Sequence, residues 1–357
     1  DPQMFIHISD LGTIIVLVYV DDLLIFSSCP VLRATFAESI CARFKMKDLG
    51  RTIKALGMDF SQDLDGRFLK LCLKSYLVGV GERFSISPVE CLETPLTKAI
   101  VTQCEQAKPS EREISECIDF YSKATGVVIF AASTCRPECG FAAHFMSRFM
   151  HRPSSYHCKM ARRVLGYLVG TANFGVVYNG KSLGISGGLQ VEQDKDDFRA
   201  PIPRPIGASD SNHAVEPSVT AFVFLMAGAA VLWICRLQKV SSISSAEAEF
   251  YALSSCVAMS LHLGNVLEEL SEGLTTPLRI LCDSRGARML AQHVRSTTRT
   301  RHIHRRWFFV THYIKSKRVV IDQVPSKDNW SNVLTKPVGM ADFKFDRTRL
   351  GVFAEFC

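Results

Sequence analysis

Tyr19-Val20-Asp21-Asp22 lies between two apolar runs, Ile14-Ile15-Val16-Leu17-Val18 and Leu23-Leu24-Ile25-Phe26. Two β-rich runs separated by a short polar break read as a β-hairpin, with the acids at its tip. Adjacent carboxylates beside buried strands are costly unless water or a cation takes up their charge. Two outcomes fit. The tip is an acidic surface turn, since turns favour Asp for backbone reasons. Alternatively the pair holds a divalent cation: Mg²⁺ prefers oxygen ligands, and a two-ion phosphoryl-transfer site is built from paired acids on a rigid turn.

The chain of 357 residues is 47% hydrophobic, enough for two or three domains with cores and too apolar for a disordered segment. A net charge of +7 suits a phosphate-rich partner but does not require one. The 13 cysteines follow no zinc or disulfide spacing, and Cys135 and Cys139 form the only close pair, so reduced thiols in an intracellular protein are expected. The start Asp1-Pro2-Gln3 lacks the features of a signal peptide and an initiator Met, which reads as a piece of a longer protein. Residues 219–235 carry no charge and are nearly long enough to span a membrane. Gly228 at their centre, between Val219-Thr220-Ala221-Phe222-Val223-Phe224 and Val231-Leu232-Trp233-Ile234, favours a buried hairpin instead.

Four regions follow from the patterning. Residues 1–74 read as strands with one helix between Val31 and Phe44; residues 75–180 are helix-rich, with Arg162 and Arg163 on one face of a helix opposite Met160, Val164 and Leu168. Residues 181–205, rich in Gly, Pro, Asp and Lys, read as a linker. Residues 206–357 show the order strand, hairpin, helix, strand, helix of a mixed α/β domain. There Asp210 and Asp283 end strands and Glu249 lies in the first turns of the intervening helix, a set able to converge on one cation-binding edge. Each acid alone also has an ordinary reading: a turn residue, a cap, or a helix-end charge. Glu247 is expected in solvent. From Arg295 to Arg318, Arg299, Arg301, Arg305, Arg306, Lys315, Lys317 and Arg318 interleave with His302, His304, Trp307 and Phe308. This is either a nucleic-acid surface or an amphipathic helix with Trp307, Phe308 and Tyr313 in the core.

With Phe44-Lys45-Met46-Lys47-Asp48-Leu49-Gly50, Leu56-Gly57-Met58, Thr94-Pro95-Leu96, Thr134-Cys135-Arg136-Pro137, Ser147-Arg148-Phe149 and Arg163 to Thr171 following in order, the chain resembles the Pol polyproteins of copia-type retrotransposons. Ser244-Ser245-Ala246-Glu247-Ala248-Glu249, Cys282-Asp283-Ser284 and Arg299-Thr300-Arg301-His302-Ile303 are similar to the RNase H signatures of the same family. The resemblance implies an α/β (α+β) fold class: a truncated reverse-transcriptase palm over 1–74, thumb and connection over 75–180, and an RNase H-like mixed-sheet domain over 206–357. It implies an RNA-directed DNA polymerase lineage, in a transposable element that integrates DNA. Asp21 and Asp22 would be metal ligands of a polymerase half expected to be inactive alone. Asp210, Glu249 and Asp283 would be catalytic metal ligands for cleaving the RNA strand of RNA–DNA hybrids with Mg²⁺, or Mn²⁺. The family's fourth acid falls on Asn332 here, a neutral amide expected to weaken metal binding. Arg299, Arg301, His302, Arg305 and Arg306 would contact nucleic acid. Implied partners are RNA–DNA hybrid, RNA template, DNA and the rest of Pol upstream, with no membrane, in the cytoplasm (virus-like particle) or nucleus. The competing expectation is a catalytically decayed or repurposed nucleic-acid-binding remnant.

Overall fold

The computed structural model describes residues 2–63, 68–87, 92–179, 205–213, 218–270, 277–292 and 304–355. The chain divides into two compact units, Asp1–Ala55 with Leu263–Leu274, and Leu56–His262 with Thr275–Cys357.

In the first unit, β1 (Met4–Ser9), β2 (Gly12–Tyr19) and β3 (Asp22–Ser27) form an antiparallel meander. Tyr19 pairs with Asp22, so the β2–β3 turn is the two residues Val20 and Asp21. Helix α1 (Pro30–Arg43) starts with Pro30 in its first turn, where the missing N–H costs nothing. It buries Ala37, and the sheet buries Ile14 and Val16. Beyond the helix, both guanidinium nitrogens of Arg33 donate to Asp48, at 2.8 and 2.6 Å, and the Gly50 N–H donates to the same carboxylate at 2.8 Å. That bidentate pair ties the Phe44–Gly50 stretch back to α1, which explains an otherwise irregular motif. A short strand β4 (Lys54–Ala55) closes the unit.

The second unit opens with β5 (Met58–Gln62) and β6 (Phe68–Cys72), which continue one sheet through β7 (Gly175–Asn179) to β13 (Val352–Phe353) near the end of the chain. Compactness therefore separates β5 and β6 from residues 1–55, whereas sequence patterning grouped 1–74. β5 pairs with β6 next to it, but the other partner of β6, β7, lies more than a hundred positions downstream, beyond the reach of local periodicity. Between β6 and β7 run α2 (Lys74–Phe84), α3 (Lys98–Gln106), α4 (Glu111–Thr134), α5 (Gly140–Ser147) and α6 (Ser155–Gly170). Tyr121, Met146, Met160, Val164 and Leu168 are fully buried among them. Arg162 caps the Phe120 ring at 4.5 Å and Arg163 donates to the Thr94 carbonyl at 3.2 Å, so this basic face serves internal contacts. The Thr134–Pro137 and Arg163–Thr171 stretches meet through buried Arg136, which donates to Glu138 at 2.7 Å and to the Thr171 hydroxyl at 2.7 Å. Breaking such a buried pair costs about 3–5 kcal/mol.

A second sheet has the order β10-β9-β8-β11-β12, from β8 (Ile206–Asn212), β9 (Val219–Met226), β10 (Ala229–Leu237), β11 (Leu278–Cys282) and β12 (Val319–Gln323). The apolar run 219–235 is the β9–β10 hairpin: Met226 pairs with Ala229, and Ala227 and Gly228 take the positive φ values, 52° and 82°, of a two-residue turn. Helices α7 (Ser245–Leu270), α8 (Arg285–Gln292), α9 (His304–Lys315), α10 (Asn332–Thr335) and α11 (Met340–Arg349) complete the chain. Mixed sheets and helices match the α/β expectation. One apolar cluster runs from Leu77, Val128 and Leu165 to Val223, Ala229, Trp330 and Leu334, and the Trp233 indole donates to the Ala132 carbonyl at 2.6 Å. The helical region and the second sheet therefore share a core, each fully buried side chain contributing roughly 1.5–3 kcal/mol. The linker expected at 181–205 lies outside the described residues except at Pro205.

Candidate metal centre

Strands β8 and β11 are parallel, with Ser209 opposite Cys282. The next residues, Asp210 and Asp283, therefore lie side by side: Asp283 follows the last residue of β11, whereas Asp210, expected to end its strand, is still within β8 and pairs with Ala221 of β9. Glu249 reaches them from α7, and one carboxylate oxygen from each of the three lies within 4.8 Å of the others. Periodicity alone would not join residues 39 and 34 apart; the parallel crossover does.

Asp210 is buried, at 3% exposure. Burial, with the Asp283 charge adding to it, pushes its carboxyl up to about 6, against the opposing pull of Lys336 and the Thr335 hydrogen bond. Burial, then the charges of Asp210 and Asp283, lifts Glu249 to about 8. Glu249 Oε2 is shut off from solvent and has no hydrogen-bond partner among the described residues. A carboxylate with a buried orphan oxygen, clustered with two more carboxylates, is the donor set a hard divalent cation satisfies, so the residues fit Mg²⁺ or Mn²⁺.

The segment 326–335 supplies the surroundings. Asn329, 1% exposed, donates from Nδ2 to the Ser209 carbonyl at 3.0 Å and to Asp283 Oδ1 at 3.3 Å. Its Oδ1 accepts from the Ser331 hydroxyl at 2.5 Å and N–H at 3.2 Å. Thr335 donates its hydroxyl to Asp210 Oδ2. Neither residue stands out in the sequence, because a search for acids passes over neutral donors. Asn332, 8% exposed, opens α10. Its Nδ2 donates to the Ser326 carbonyl at 2.6 Å, and its Oδ1 is buried without a partner among the described residues.

Glu247 departs from the expectation of solvent exposure. It is buried, and its carboxylate accepts from the Ile243 N–H at 2.9 Å while its own N–H donates to Ser244 Oγ at 3.3 Å. Orphan amides at the helix start draw the acid inward. Asp21 and Asp22 are exposed at the β2–β3 tip. Val20 before them has φ 54°, a left-handed conformation that costs a β-branched residue about 1–3 kcal/mol.

Arg299, Arg301 and His302 lie outside the described residues. On α9, Arg305 is exposed and half-buried Arg306 stacks over the Tyr251 ring at 4.8 Å. Trp307 is buried, whereas Phe308 is 55% exposed, which corrects the reading that placed both in the core. The helix thus presents Arg305, Phe308 and Lys315 outward, and Lys317 and Arg318 are exposed in the turn that follows it.

Residues 2–98 match the model of the family described as reverse transcriptase (RNA-dependent DNA polymerase). The chain is 27% identical over 355 residues to the retrovirus-related Pol polyprotein from transposon TNT 1-94 of Nicotiana tabacum, covering 99% of this chain and 25% of that protein. It is 25% identical over 359 residues to the retrovirus-related Pol polyprotein from transposon RE1 of Arabidopsis thaliana, covering 99% and 22%. A putative transposon Ty5-1 protein of Saccharomyces cerevisiae is 29% identical over 248 residues, covering 69% and 73%. The chain spans about a quarter of the length of the two Pol polyproteins.

Proposed function

This chain belongs to the Pol polyproteins of copia-type retrotransposons, with reverse-transcriptase sequence over residues 2–98, and from that premise we propose that Asp210, Glu249 and Asp283 form an RNase H-type centre cutting the RNA strand of RNA–DNA hybrids. The observation that carries this reading is the convergence of three carboxylates, one with an orphan buried oxygen, on a single point. Mg²⁺ or Mn²⁺, when bound, supplies an activated water and a Lewis acid for the leaving oxygen. The chain's own part is to gather negative charge where phosphate and cation meet. With Glu249 at about 8, its carboxyl holds a proton near neutral pH that cation binding would release, whereas Asp210, at about 6, is largely ionised there. Arg305, Lys315, Lys317 and Arg318 on and after α9 suit backbone phosphates, and Phe308 offers a flat surface beside them. Asn332 places a neutral amide where the family has a charged ligand, so cation affinity is lower than four acids would give.

Asp21 and Asp22 belong to the polymerase lineage. Among the described residues no third acid joins them, and we do not assign primer extension to this chain by itself. A second reading, a hybrid-binding remnant that does not cut, is favoured by one observation: the Asn332 amide is committed to Ser326 rather than to the carboxylates.

Cleavage of a labelled RNA–DNA hybrid in Mg²⁺ or Mn²⁺ tests both. Cutting by the parent and none by Asp283→Asn supports the nuclease. Cutting by Asn332→Asp alone makes Asn332 the lesion. Hybrid binding without cleavage by any version supports the remnant.

A further inference from the structure

Asn329 and Thr335 stand out once every polar group around the three carboxylates is followed to its partner. Thr335 is fully buried, and its hydroxyl has one hydrogen to give. Two acceptors compete for it: the Asn332 carbonyl at 3.1 Å, and Asp210 Oδ2, which is nearer and carries charge. The charged acceptor takes it. Thr335 is itself held from the other side, because Asn212 Nδ2 donates to its carbonyl at 3.2 Å. Asn329 does for Asp283 what Thr335 does for Asp210, and it also grips the Ser209 carbonyl next to Asp210. Its own oxygen is occupied by Ser331, which leaves the amide group one orientation. One short segment therefore contributes a donor to each of these two neighbouring acids.

We propose that Asn329 and Thr335 are positioning residues: each binds one oxygen of Asp283 or Asp210 and so aims the other oxygen at the cation. This rests on the reading of the three acids as a metal centre. It goes beyond that reading by assigning the 326–335 segment a role that does not depend on a fourth charge at position 332. Neutral donors hold acids in place without adding to their mutual repulsion, and loss of such an outer partner typically weakens metal binding by roughly 10- to 100-fold.

The test is Mn²⁺ binding to the full chain, followed by the electron paramagnetic resonance signal of the free ion, with circular dichroism melts confirming which variants are folded. Thr335→Val keeps the shape and loses the donor; Thr335→Ser keeps the donor; Asn329→Ala removes the second donor. Expected are binding roughly tenfold weaker in Thr335→Val and Asn329→Ala, and near-parent binding in Thr335→Ser. Either folded loss variant decides if the other fails to fold. Parent-like affinity in a folded loss variant overturns the proposal, as does Thr335→Ser losing as much as Thr335→Val. Asp283→Asn separates the layers. If it binds Mn²⁺ as the parent does, the metal-centre reading falls and this assignment with it; if it loses binding while the loss variants keep it, only the positioning role falls.

Discussion

Asp21 and Asp22 are neighbours in sequence and stand in solvent at a hairpin tip, whereas Asp210, Glu249 and Asp283 are scattered over 74 positions and meet in a protected corner. The comparison separates two meanings of an acidic cluster. Adjacent residues in a tight turn diverge along the pleat, and water solvates each at little cost. Parallel strands with a helix laid across their ends do the opposite: they force separate acids to share one space, where burial and mutual repulsion raise the energy of the charged forms. The second arrangement stores an unfavourable term that a cation relieves. The first stores none, so any metal there needs ligands from elsewhere.

The largest effect that tests this contrast is on catalysis. Asp283→Asn removes a proposed ligand, and its loss of hybrid cleavage is expected to exceed the roughly 100-fold upper range for an outer partner. Replacing both Asp21 and Asp22 by Asn is expected to leave RNA cleavage within about twofold, as for independent sites. Equal losses in the two variants, read as initial cleavage rates, would break the comparison outright.

Next in size is the coupling of stability to cation and pH. The carboxyls of Glu249 and Asp210 lie above their ordinary values, at about 8 and about 6. Between the unfolded and folded values the folded state therefore binds more protons than the unfolded one, and stability falls as pH rises. The window runs from about pH 4 to about pH 8, set by those two shifts. In chelator, the thermal midpoint should decline across it. Mg²⁺ at about a hundred times its dissociation constant should restore about 2.7 kcal/mol at the alkaline end. A midpoint that is flat with pH, or unmoved by Mg²⁺, would show that the corner stores no such strain.

Much of this was open to inspection in the sequence, and the exceptions have physical causes. The β2–β3 and β9–β10 hairpins, α1, α2 and α6 follow from alternation and helical spacing, which are local signals; motif order singled out the three acids, but the parallel pairing of β8 with β11 is what brings them together. The partner of β6 beyond the β5–β6 hairpin was hidden, because its pairing with β7, which in turn pairs with β13, is decided by the whole unit's core. Glu247 was misjudged for a subtler reason: the helix start needs an acceptor for its free amides, and that need outweighs the preference of a carboxylate for water. Asn329 and Thr335 were invisible because neutral side chains at ordinary spacing carry no signal until the carboxylates they serve are in place.

Asn332→Asp has a smaller effect with a sign that depends on the cation. The Asn332 Nδ2 bond to the Ser326 carbonyl would become oxygen facing oxygen, and a lost buried bond of this kind costs about 1–3 kcal/mol. The variant should therefore melt below the parent in chelator and recover more than the parent does on addition of Mg²⁺, because the new charge joins the cation. Denaturant titration at pH 8 with and without Mg²⁺ measures both halves. A variant destabilised equally in both conditions would place position 332 outside the metal's reach.

The smallest effect sharpens the contrast by separating burial from clustering. Asp346, on α11, is buried and raised to about 7, first by burial and then by Asp342, against the pull of Arg349 and Lys336. It has the burial of the carboxylate corner without its trio of converging acids. Like Glu249, it costs the fold stability as pH rises toward its folded value, since the unfolded chain releases that proton near the ordinary value of 3.8. Asp346→Asn is the neutral isostere, so the variant should match the parent near pH 4 and exceed it by on the order of 1 kcal/mol at pH 8. Mg²⁺ should leave that difference unchanged, because among the described residues no third acid converges there to hold the ion. If Mg²⁺ instead erases the advantage of Asp346→Asn, burial by itself is enough to recruit a cation in this protein, and the convergence of Asp210, Glu249 and Asp283 loses its special standing.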